Sequence, residues 1–217
     1  MSIAIADIRK DYKLLSLDEE SVASNPIKQF EKWMHEAISA QISEPTAMTV
    51  ATAHVHTNGI IKPTARIVLL KEYDENGFVF FTNYKSNKAQ ALETNSFASL
   101  LFHWVELERQ VRIEGRVEKV SDEESDAYFL SRPLLSRLGA WASHQSEIII
   151  NRDQLEKQFA IVKDKFGDNV PRPSHWGGYR VIPHNLEFWQ GRESRLHDRI
   201  CYEWEPQGNW KINRLSP

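Results

Sequence analysis

The stretch AMTVATAHVHTNGIIKPTARIVLLKEYDENGFVFFT, residues 47–82, decides the fold. Its first part is rich in small and β-branched residues, which favour strands. Asn58-Gly59 is a strong hairpin turn signal, and Asp74-Glu-Asn-Gly77 is a second turn. These turns separate three predicted strands, at residues 47–55, 65–73 and 78–82. Short turns between successive strands indicate antiparallel pairing, because a parallel pair needs a long crossover.

Further predicted strands follow this stretch, and predicted helices lie on both sides of it. Asn25-Pro26 predicts a helix start, and Ser121-Asp-Glu-Glu124 has the form of a capping box. Further strands are predicted at residues 97–105, 110–120, 178–182, 186–190, 199–204 and 210–214. Helices are predicted from 26, at 86–93, from 121 to an interruption at Pro133, at 134–142 and at 151–166. The predicted fold class is mainly β with flanking helices (α+β), an antiparallel meander or barrel.

The composition predicts a globular cytoplasmic protein. The 217 residues suit one domain at residues 25–217, preceded by a flexible segment at 1–24. A formal net charge of −3 gives no overall attraction to nucleic acid or anionic membrane. Cys201 is the only cysteine, which excludes an intramolecular disulfide and a multi-cysteine zinc site. No secretory signal or membrane span is expected.

Several common signatures of chemistry are absent from the sequence. There is no P-loop, no G-x-G-x-x-G and no H-E-x-x-H. His54 and His56 share one strand face and could bind a metal, but no third ligand lies nearby in the sequence, so ordinary surface histidines are the favoured interpretation. No metal is expected.

Basic residues near strand and helix ends are the first candidates for a binding site. Arg66 and Lys71 bracket an apolar run, and Lys88 lies at the start of a predicted helix, where phosphate is favoured. Tyr128, Arg132 and Ser136 are four residues apart and would share a face if the helix continued past Pro133. The alternative for each charge is a solvated side chain. A solvated side chain is a weaker interpretation for Arg66, because an unpaired charge beside an apolar strand costs free energy.

The stretch Glu187-Phe-Trp-Gln-Gly-Arg-Glu-Ser-Arg-Leu-His-Asp-Arg199 is the densest candidate. Arg195, His197 and Arg199 alternate, so in an extended chain they would point to one side as an anion and proton-handling site. The alternative is a surface salt-bridge network with Glu193, Asp198 and Glu203, and spacing alone leaves the two interpretations about equal.

Fragments along nearly the whole chain resemble the pyridoxine/pyridoxamine 5′-phosphate oxidase family, homodimeric FMN enzymes with a split-barrel fold. Each fragment alone is weak, but their shared order and spacing make the match specific. The fragments are Arg9-Lys-Asp-Tyr12, Arg66-Ile-Val-Leu-Leu-Lys71, Phe80-Phe-Thr-Asn83, Glu108-Arg-Gln-Val-Arg112, Tyr128-Phe-Leu-Ser-Arg-Pro133, Ala140-Trp-Ala-Ser-His-Gln-Ser146, Phe188-Trp-Gln-Gly191, Arg195-Leu-His-Asp-Arg199 and Arg214-Leu-Ser-Pro217.

The resemblance implies an FMN site and a substrate site, with FMN at the dimer interface. FMN would be bound by Arg66, Ile67, Val68, Leu69, Lys71, Phe81, Thr82, Asn87, Lys88, Gln110, Gln145, Ser146, Trp189 and Arg199. Substrate would be bound by Lys71, Tyr128, Arg132, Ser136, Arg195, Leu196 and His197, with Arg9, Lys10, Asp11 and Tyr12 closing over it. Arg195 and His197 would be the catalytic pair that positions the reacting end of the substrate.

Two residues depart from the family pattern. Asn87 stands where most members have arginine, in the region of the FMN phosphate, so Lys88 would carry more of the charge there. Phe81 replaces a common tyrosine and loses a hydroxyl. Both changes could loosen FMN binding, and neither affects the residues expected to hold substrate.

The activity implied is oxidation of pyridoxine 5′-phosphate or pyridoxamine 5′-phosphate at C4′ to pyridoxal 5′-phosphate. A hydride would pass to the flavin, O₂ would be the acceptor and H₂O₂ a product, and the amine would also release ammonia. Two alternatives stay open, because fold alone does not fix function. One is another split-barrel flavoprotein such as a flavin reductase, and the other is a non-catalytic FMN or pyridoxal-phosphate binding protein.

Overall fold

The computed structural model describes residues 11–217, which contain five α-helices and nine β-strands. Arg9 and Lys10, predicted to contact substrate, lie outside the described residues. The helices are α1 Pro26–Ser39, α2 Asn87–Thr94, α3 Asp122–Ser131, α4 Leu134–Ala142 and α5 Arg152–Phe166. The strands are β1 Ala47–Val55, β2 Ile61–Leu69, β3 Glu72–Asp74, β4 Gly77–Asn83, β5 Phe97–Trp104, β6 Arg109–Lys119, β7 Trp176–Gln190, β8 Asp198–Trp204 and β9 Trp210–Arg214.

The strands form one sheet with the path β2-β1-β5-β6-β7-β4-β3, and β8 pairs with both β7 and β9. The pairs β3–β4, β4–β7, β7–β8 and β8–β9 are antiparallel. The predicted mainly β fold with flanking helices is therefore confirmed. None of the described helices is long and apolar enough to cross a membrane.

The chain divides into two compact units. The central unit comprises Val50–Ala98 and Gly115–Ile182. Its strand β4 is buried along most of its length, with Phe78, Val79 and Phe80 fully inaccessible. Antiparallel pairing with the first half of β7 sets its register, with Phe81 opposite Gly178. A second cluster of buried side chains, formed by Phe129, Leu138, Val170 and Trp176, packs α3, α4 and α5 together.

The terminal unit comprises, among the described residues, 11–49, 99–114 and 183–217. Helix α1 packs its apolar face into this unit, where Phe30 lies 5.2 Å from Phe102 and Trp33 lies 5.2 Å from Phe188, measured between ring centroids. The predicted cap of α1 is confirmed, because the Asn25 side chain accepts hydrogen bonds from the backbone N–H groups of the second and third helical residues.

Two strand predictions need correction. The strand after the first hairpin runs over Ile61–Leu69 rather than 65–73, because the turn at Gly59 is tight and pairing resumes directly after it. A separate short strand, β3, then pairs with β4. The two strands predicted at 178–182 and 186–190 are one strand, β7. Pro183 does not break it, because it falls between the segment paired with β4 and the segment paired with β8.

Candidate active site

A cavity of about 760 Å³ lies in the central unit and gathers many of the predicted site residues. Strands β2 and β4 form one side of it, and α3, α4 and the segment after α4 form the other. Predicted FMN residues on its wall are Arg66, Ile67, Val68, Leu69, Lys71, Phe81, Thr82, Lys88 and Gln145. Predicted substrate residues on its wall are Lys71, Tyr128, Arg132 and Ser136.

The wall of this cavity carries one sign of charge. Its described lining contains four cations, Arg66, Lys71, Lys88 and Arg132, and no carboxylate. Because each cation favours negative charge nearby and no acid of the lining neutralises them, the cavity fits ligands that carry phosphate.

Lys88 is the most deeply placed of these cations, with only 8% of its surface exposed. Its Nζ donates hydrogen bonds to Thr82 Oγ1 at 2.9 Å, Gln145 Oε1 at 2.9 Å and Ser86 Oγ at 3.3 Å. All three acceptors are neutral. Burial, and secondarily the positive charge of Arg66, lowers the pKa of Lys88 to about 8. The ammonium is therefore oriented by the protein while its charge stays available to an anion.

Arg66 is fixed by Thr52 on the neighbouring strand β1 and by Thr64 on its own strand β2. Its Nη1 donates to Thr52 Oγ1 at 2.9 Å and to the Val50 carbonyl at 3.1 Å, and its Nη2 donates to Thr64 Oγ1 at 2.6 Å. Burial lowers the pKa of this guanidinium, which has no carboxylate among these partners. These threonines were not identified from the sequence. Thr64 lies two residues before Arg66 on the same strand, which was a signal for it, whereas Thr52 becomes a neighbour only through strand pairing.

Three aromatic rings stack beside the cavity, and one of them, Trp176, contacts Arg132. Phe81 and Tyr128 lie 4.0 Å apart and 20° from parallel, and Phe81 and Trp176 lie 5.5 Å apart and 13° from parallel. The Arg132 guanidinium lies 4.6 Å from the Trp176 ring centroid. Its Nη1 is buried and has no hydrogen-bond partner among the residues described. Trp176 was missed by the sequence analysis, in which it carried no motif.

The helix that would have aligned Tyr128, Arg132 and Ser136 does not continue past Pro133. Helix α3 ends at Ser131, and Arg132 has extended backbone with ψ 148, as expected for a residue before proline. Helix α4 then begins one residue after the proline. The condition for a shared helical face is therefore not met, and the three side chains reach one cavity through the break between two helices.

Asn87 and Ser146 line a smaller neighbouring cavity of about 300 Å³, which also receives Gln145. The backbone N–H of Asn87 donates to Ser146 Oγ at 3.3 Å. This second cavity also contains the carboxylates of Glu93 and Glu147. The role of Asn87 and Ser146 toward FMN stays a prediction.

A second group of predicted residues belongs to the terminal unit. Trp189 and His197 lie 4.5 Å apart, and the Tyr12 ring lies 5.8 Å from each of them in edge-to-face contact. Gly191 allows this approach, because a Cβ there would lie 2.7 Å from Cγ of the Tyr12 ring. Asp11, which precedes Tyr12 in the sequence, is exposed. Gln110 is half-buried in β6.

The ring of His197 has a defined tautomer. The backbone N–H of Arg192 donates to His197 Nδ1 at 3.1 Å, so the neutral ring carries its proton on Nε2. Burial, followed by the positive charge of Arg195, lowers the pKa of His197 below its usual value. Near neutral pH the side chain is therefore an uncharged hydrogen-bond donor at Nε2.

The prediction that Arg195, His197 and Arg199 point to one side of an extended chain is wrong. Glu193–Arg195 forms a 3-10 turn, and Ser194 and Arg195 both have positive φ values. Arg195 and Leu196 are exposed on this turn. Only Arg199 lies within a strand.

Arg199 is paired with a residue that the sequence analysis gave no role. Its Nε and Nη2 donate to the Glu187 carboxylate at 2.8 and 3.1 Å, and Arg112 Nη2 donates to the same carboxylate at 2.6 Å. The salt-bridge network considered in the sequence paired the cations of this stretch with Glu193, Asp198 and Glu203, and did not include Glu187. The sequence signal that could have identified Glu187 as a partner is its position as a single acid between the apolar residues Leu186 and Phe188, which are both buried.

Within residues 11–217, no three side chains of metal-binding type come together as a metal site. His54 and His56 do lie side by side, with ring centroids 4.5 Å apart.

Comparison with known proteins gives consistent matches. Residues 34–166 match the family model described as pyridoxamine 5′-phosphate oxidase, and residues 176–217 match the pyridoxine 5′-phosphate oxidase C-terminal dimerisation region. A relative from Cupriavidus pinatubonensis named pyridoxine/pyridoxamine 5′-phosphate oxidase is 61% identical, over 98% of this chain and 99% of its own. One of the same name from Burkholderia lata is 56% identical, over 98% of this chain and 99% of its own.

Solved structures agree with this architecture. The crystal structure of PhzG from Burkholderia lata, in complex with tetrahydrophenazine-1-carboxylic acid, is 30% identical, with a TM-score of 0.87 over 96% of this chain and 100% of its own. A pyridoxamine 5′-phosphate oxidase-related, FMN binding protein from Nostoc punctiforme is 16% identical with a TM-score of 0.69, over 94% and 100%. These matches confirm the predicted split-barrel fold with flanking helices.

Proposed function

This chain belongs to the pyridoxamine 5′-phosphate oxidase family, and we propose that it is an FMN-dependent oxidase of pyridoxine 5′-phosphate and pyridoxamine 5′-phosphate. The product is pyridoxal 5′-phosphate. The oxidation converts the C4′ alcohol and O₂ to the aldehyde and H₂O₂, and converts the C4′ amine, water and O₂ to the aldehyde, ammonia and H₂O₂. Hydride transfer from C4′ to bound FMN is the chemistry that the cofactor supplies.

One observation carries this proposal: Arg132 lines a cavity whose described lining has no acid, and one of its guanidinium nitrogens is buried without a hydrogen-bond partner among the described residues. Burying an arginine N–H without an acceptor costs free energy, so a ligand oxygen is the fitting partner. Tyr128 and Ser136 place hydroxyl groups on the same cavity wall. A substrate phosphate would receive hydrogen bonds from all three, and from Lys71 as well.

The remaining cations of the cavity suit the FMN phosphate. Lys88 keeps a buried ammonium among neutral acceptors, and Arg66 is fixed by threonines without a compensating carboxylate. Both side chains are held in place before a ligand arrives, which lowers the entropy lost on binding. Asn87 adds no charge here, so Lys88 and Arg66 carry the electrostatic attraction.

At the reacting end of the substrate, the proposed pair is Arg195 and His197. The His197 ring can donate a hydrogen bond from Nε2 to the substrate while Arg192 occupies Nδ1. Arg195 supplies positive charge beside it, which favours an electron-rich group near the flavin. Tyr12 packs against His197, which supports the placement of Tyr12 at the substrate site.

The site residues favour this activity over the alternatives. A flavin reductase has no need of a second phosphate pocket built from Tyr128, Arg132 and Ser136. A ligand suited to PhzG is also less favoured, because the Burkholderia lata oxidase is 56% identical to this chain and PhzG from that organism is 30% identical. A non-catalytic binding protein would not need the reacting-end pair.

The experiment that tests the proposal is anaerobic reduction. Purified protein loaded with FMN is mixed with pyridoxine 5′-phosphate, and separately with pyridoxamine 5′-phosphate, while the flavin absorbance is followed. We expect bleaching with substrate and its reversal, with H₂O₂ formation, when O₂ is admitted. A flavin that stays oxidised with both compounds contradicts the proposal.

The variant Arg195→Ala separates the substrate site from the cofactor site. We expect turnover to fall by about two orders of magnitude or more while the dissociation constant for FMN changes little, because the lost charge acts on the reacting substrate. Equal loss of turnover and FMN retention would instead assign Arg195 to the cofactor.

We also propose that the enzyme is a homodimer in which each active site draws residues from both chains. The match of residues 176–217 to a dimerisation region supports the dimer. The division of predicted site residues between the central and terminal units is compatible with such sharing.

A further inference from the structure

The buried carboxylate of Glu187 is unexplained by the roles proposed so far. Only 2% of this residue is exposed, and it lies in β7 between two fully buried apolar side chains, Leu186 and Phe188. Buried ion pairs contribute little net stability, because the desolvation of both charges offsets their attraction. A contribution to stability therefore does not by itself account for an acid at this position.

The strand register shows which residues Glu187 serves. Trp189 and Arg199, both proposed to contact FMN, are directly opposite each other in the β7–β8 pair, and Glu187 is opposite Cys201. Side chains two apart on a strand share a face, so Glu187 is the diagonal neighbour of Arg199 beside Trp189.

The contacts fix the guanidinium of Arg199 on three sides. Nε and Nη2 bond the two oxygens of Glu187, and Nη1 donates to the Ser216 carbonyl at 2.7 Å. The carboxylate raises the pKa of Arg199. Two parallel N–H···O bonds restrict the orientation of a planar guanidinium more than one bond does.

From this geometry we infer that Glu187 is a positioning residue for the flavin: it orients Arg199 beside Trp189 so that FMN is bound tightly. Arg112 also donates to this carboxylate, and its own additional positive charge lies 3.1 Å from Glu114. The inference rests on the proposed function, because it takes Arg199 to be an FMN ligand.

The test compares FMN affinity with folding in Glu187→Gln. FMN binding is measured by flavin fluorescence titration, and folding by thermal unfolding of the FMN-free protein. We expect the dissociation constant to rise about tenfold to a hundredfold, the range for a lost hydrogen bond to a charged group, at a temperature where the variant is folded. Unchanged FMN affinity in the folded variant overturns the inference.

Glu114→Gln is the matched control. Glu114 lies 3.1 Å from Arg112 Nε, is about as exposed as Arg112 and has no contact of this kind with Arg199. The substitution removes one negative charge beside Arg112, from a partly exposed position on β6, so we expect FMN affinity to stay within about twofold. A loss equal to that in Glu187→Gln would reduce the effect to general electrostatics and overturn the inference.

A double-mutant cycle with Arg199→Gln separates positioning from a structural role. In that background Glu187→Gln should cost little additional FMN affinity, because the group it orients is gone. Additive losses overturn the inference, and so does an Arg199→Gln variant that binds FMN normally. If Glu187→Gln does not fold, Glu187→Asp keeps the buried charge but shortens its reach, and unchanged FMN affinity in that variant overturns the inference.

These readouts do not depend on turnover. A wild-type protein that binds FMN yet oxidises neither substrate contradicts the proposed function, and the Glu187 experiments then still report on FMN binding. Oxidation by the wild type with unaltered FMN affinity in Glu187→Gln contradicts only the present inference.

Discussion

At the scale of single residues, Lys88 determines how FMN binding should depend on pH. Its pKa in the folded protein is about 8, below the usual value of 10.5, so its positive charge is lost as pH rises through about 8. A phosphate monoester is a dianion above about pH 6. We therefore expect the FMN dissociation constant to be lowest between these values and to increase above pH 8, measured by fluorescence titration across that range.

Two variants check this assignment. Lys88→Met should bind FMN more weakly and lose the alkaline increase, whereas Lys85→Met, which changes a lysine at the neighbouring cavity, should keep it. If Lys88→Met retains the alkaline increase, another group is responsible for it.

His197 should titrate at lower pH than an ordinary histidine. Burial and the nearby charge of Arg195 both lower its pKa, so it is neutral near pH 7 and gains a proton only as pH falls below its usual range, about 6.5. Protonation turns Nδ1 into a donor facing the Arg192 N–H, which removes a hydrogen bond. We expect an NMR titration, with the resonance assigned by its absence in His197→Asn, to give a lowered value that increases in Arg195→Gln. An unchanged value in Arg195→Gln would contradict the electrostatic cause.

Residue identity alone predicted part of this site and missed the rest for a physical reason. Arg66 was identified because an unpaired charge beside an apolar strand is costly, and Lys88 because it lies at the start of a helix, where phosphate is favoured. Arg132 was identified from the family resemblance and its spacing with Tyr128 and Ser136. The partners themselves, such as Thr52 and Glu187, were missed, because they become neighbours only through strand register. A resemblance names the ligands of a site more readily than the residues that orient those ligands.

At the scale of elements, caps and turns were predicted well, because each is specified by adjacent residues. Asn25 and Ser121 both accept the capping hydrogen bonds expected of them. The continuous strand β7 was not predicted, because the effect of Pro183 depends on which strands pair on either side of it. The 3-10 turn before Leu196 was likewise hidden by a sequence compatible with an extended strand.

The close packing of β6 against β7 gives a stability prediction. A Cβ on Gly115 would lie 2.3 Å from the Ile182 carbonyl oxygen, so backbone must shift to accommodate it. We expect Gly115→Ala to lower the free energy of unfolding by about 1–3 kcal/mol, measured by urea denaturation of the FMN-free protein. Gly139→Ala is the control, because nothing lies within 4 Å of the new Cβ in helix α4, and it should stabilise by about 0.5–1 kcal/mol. Equal effects of the two substitutions would contradict the steric argument.

At the scale of the whole molecule, the sequence predicted the antiparallel architecture but no interface, since no apolar stripe marked one. The residues proposed for substrate binding are divided between the central unit, which contributes Arg132, and the terminal unit, which contributes Arg195. If each shared site combines the central unit of one protomer with the terminal unit of its partner, these two residues come from different protomers at each site. That arrangement has a consequence that can be measured without knowing the interface.

Subunit mixing between Arg132→Leu and Arg195→Leu tests it. Each variant alone places one defect in every site and should be inactive. Random reassociation gives heterodimers as about half of all dimers, and with shared sites each heterodimer has one site free of both changes and one that carries both. Mixed protein should therefore recover about a quarter of wild-type activity. If native mass spectrometry detects the heterodimers and activity stays at the level of the separate variants, each site is built within one chain.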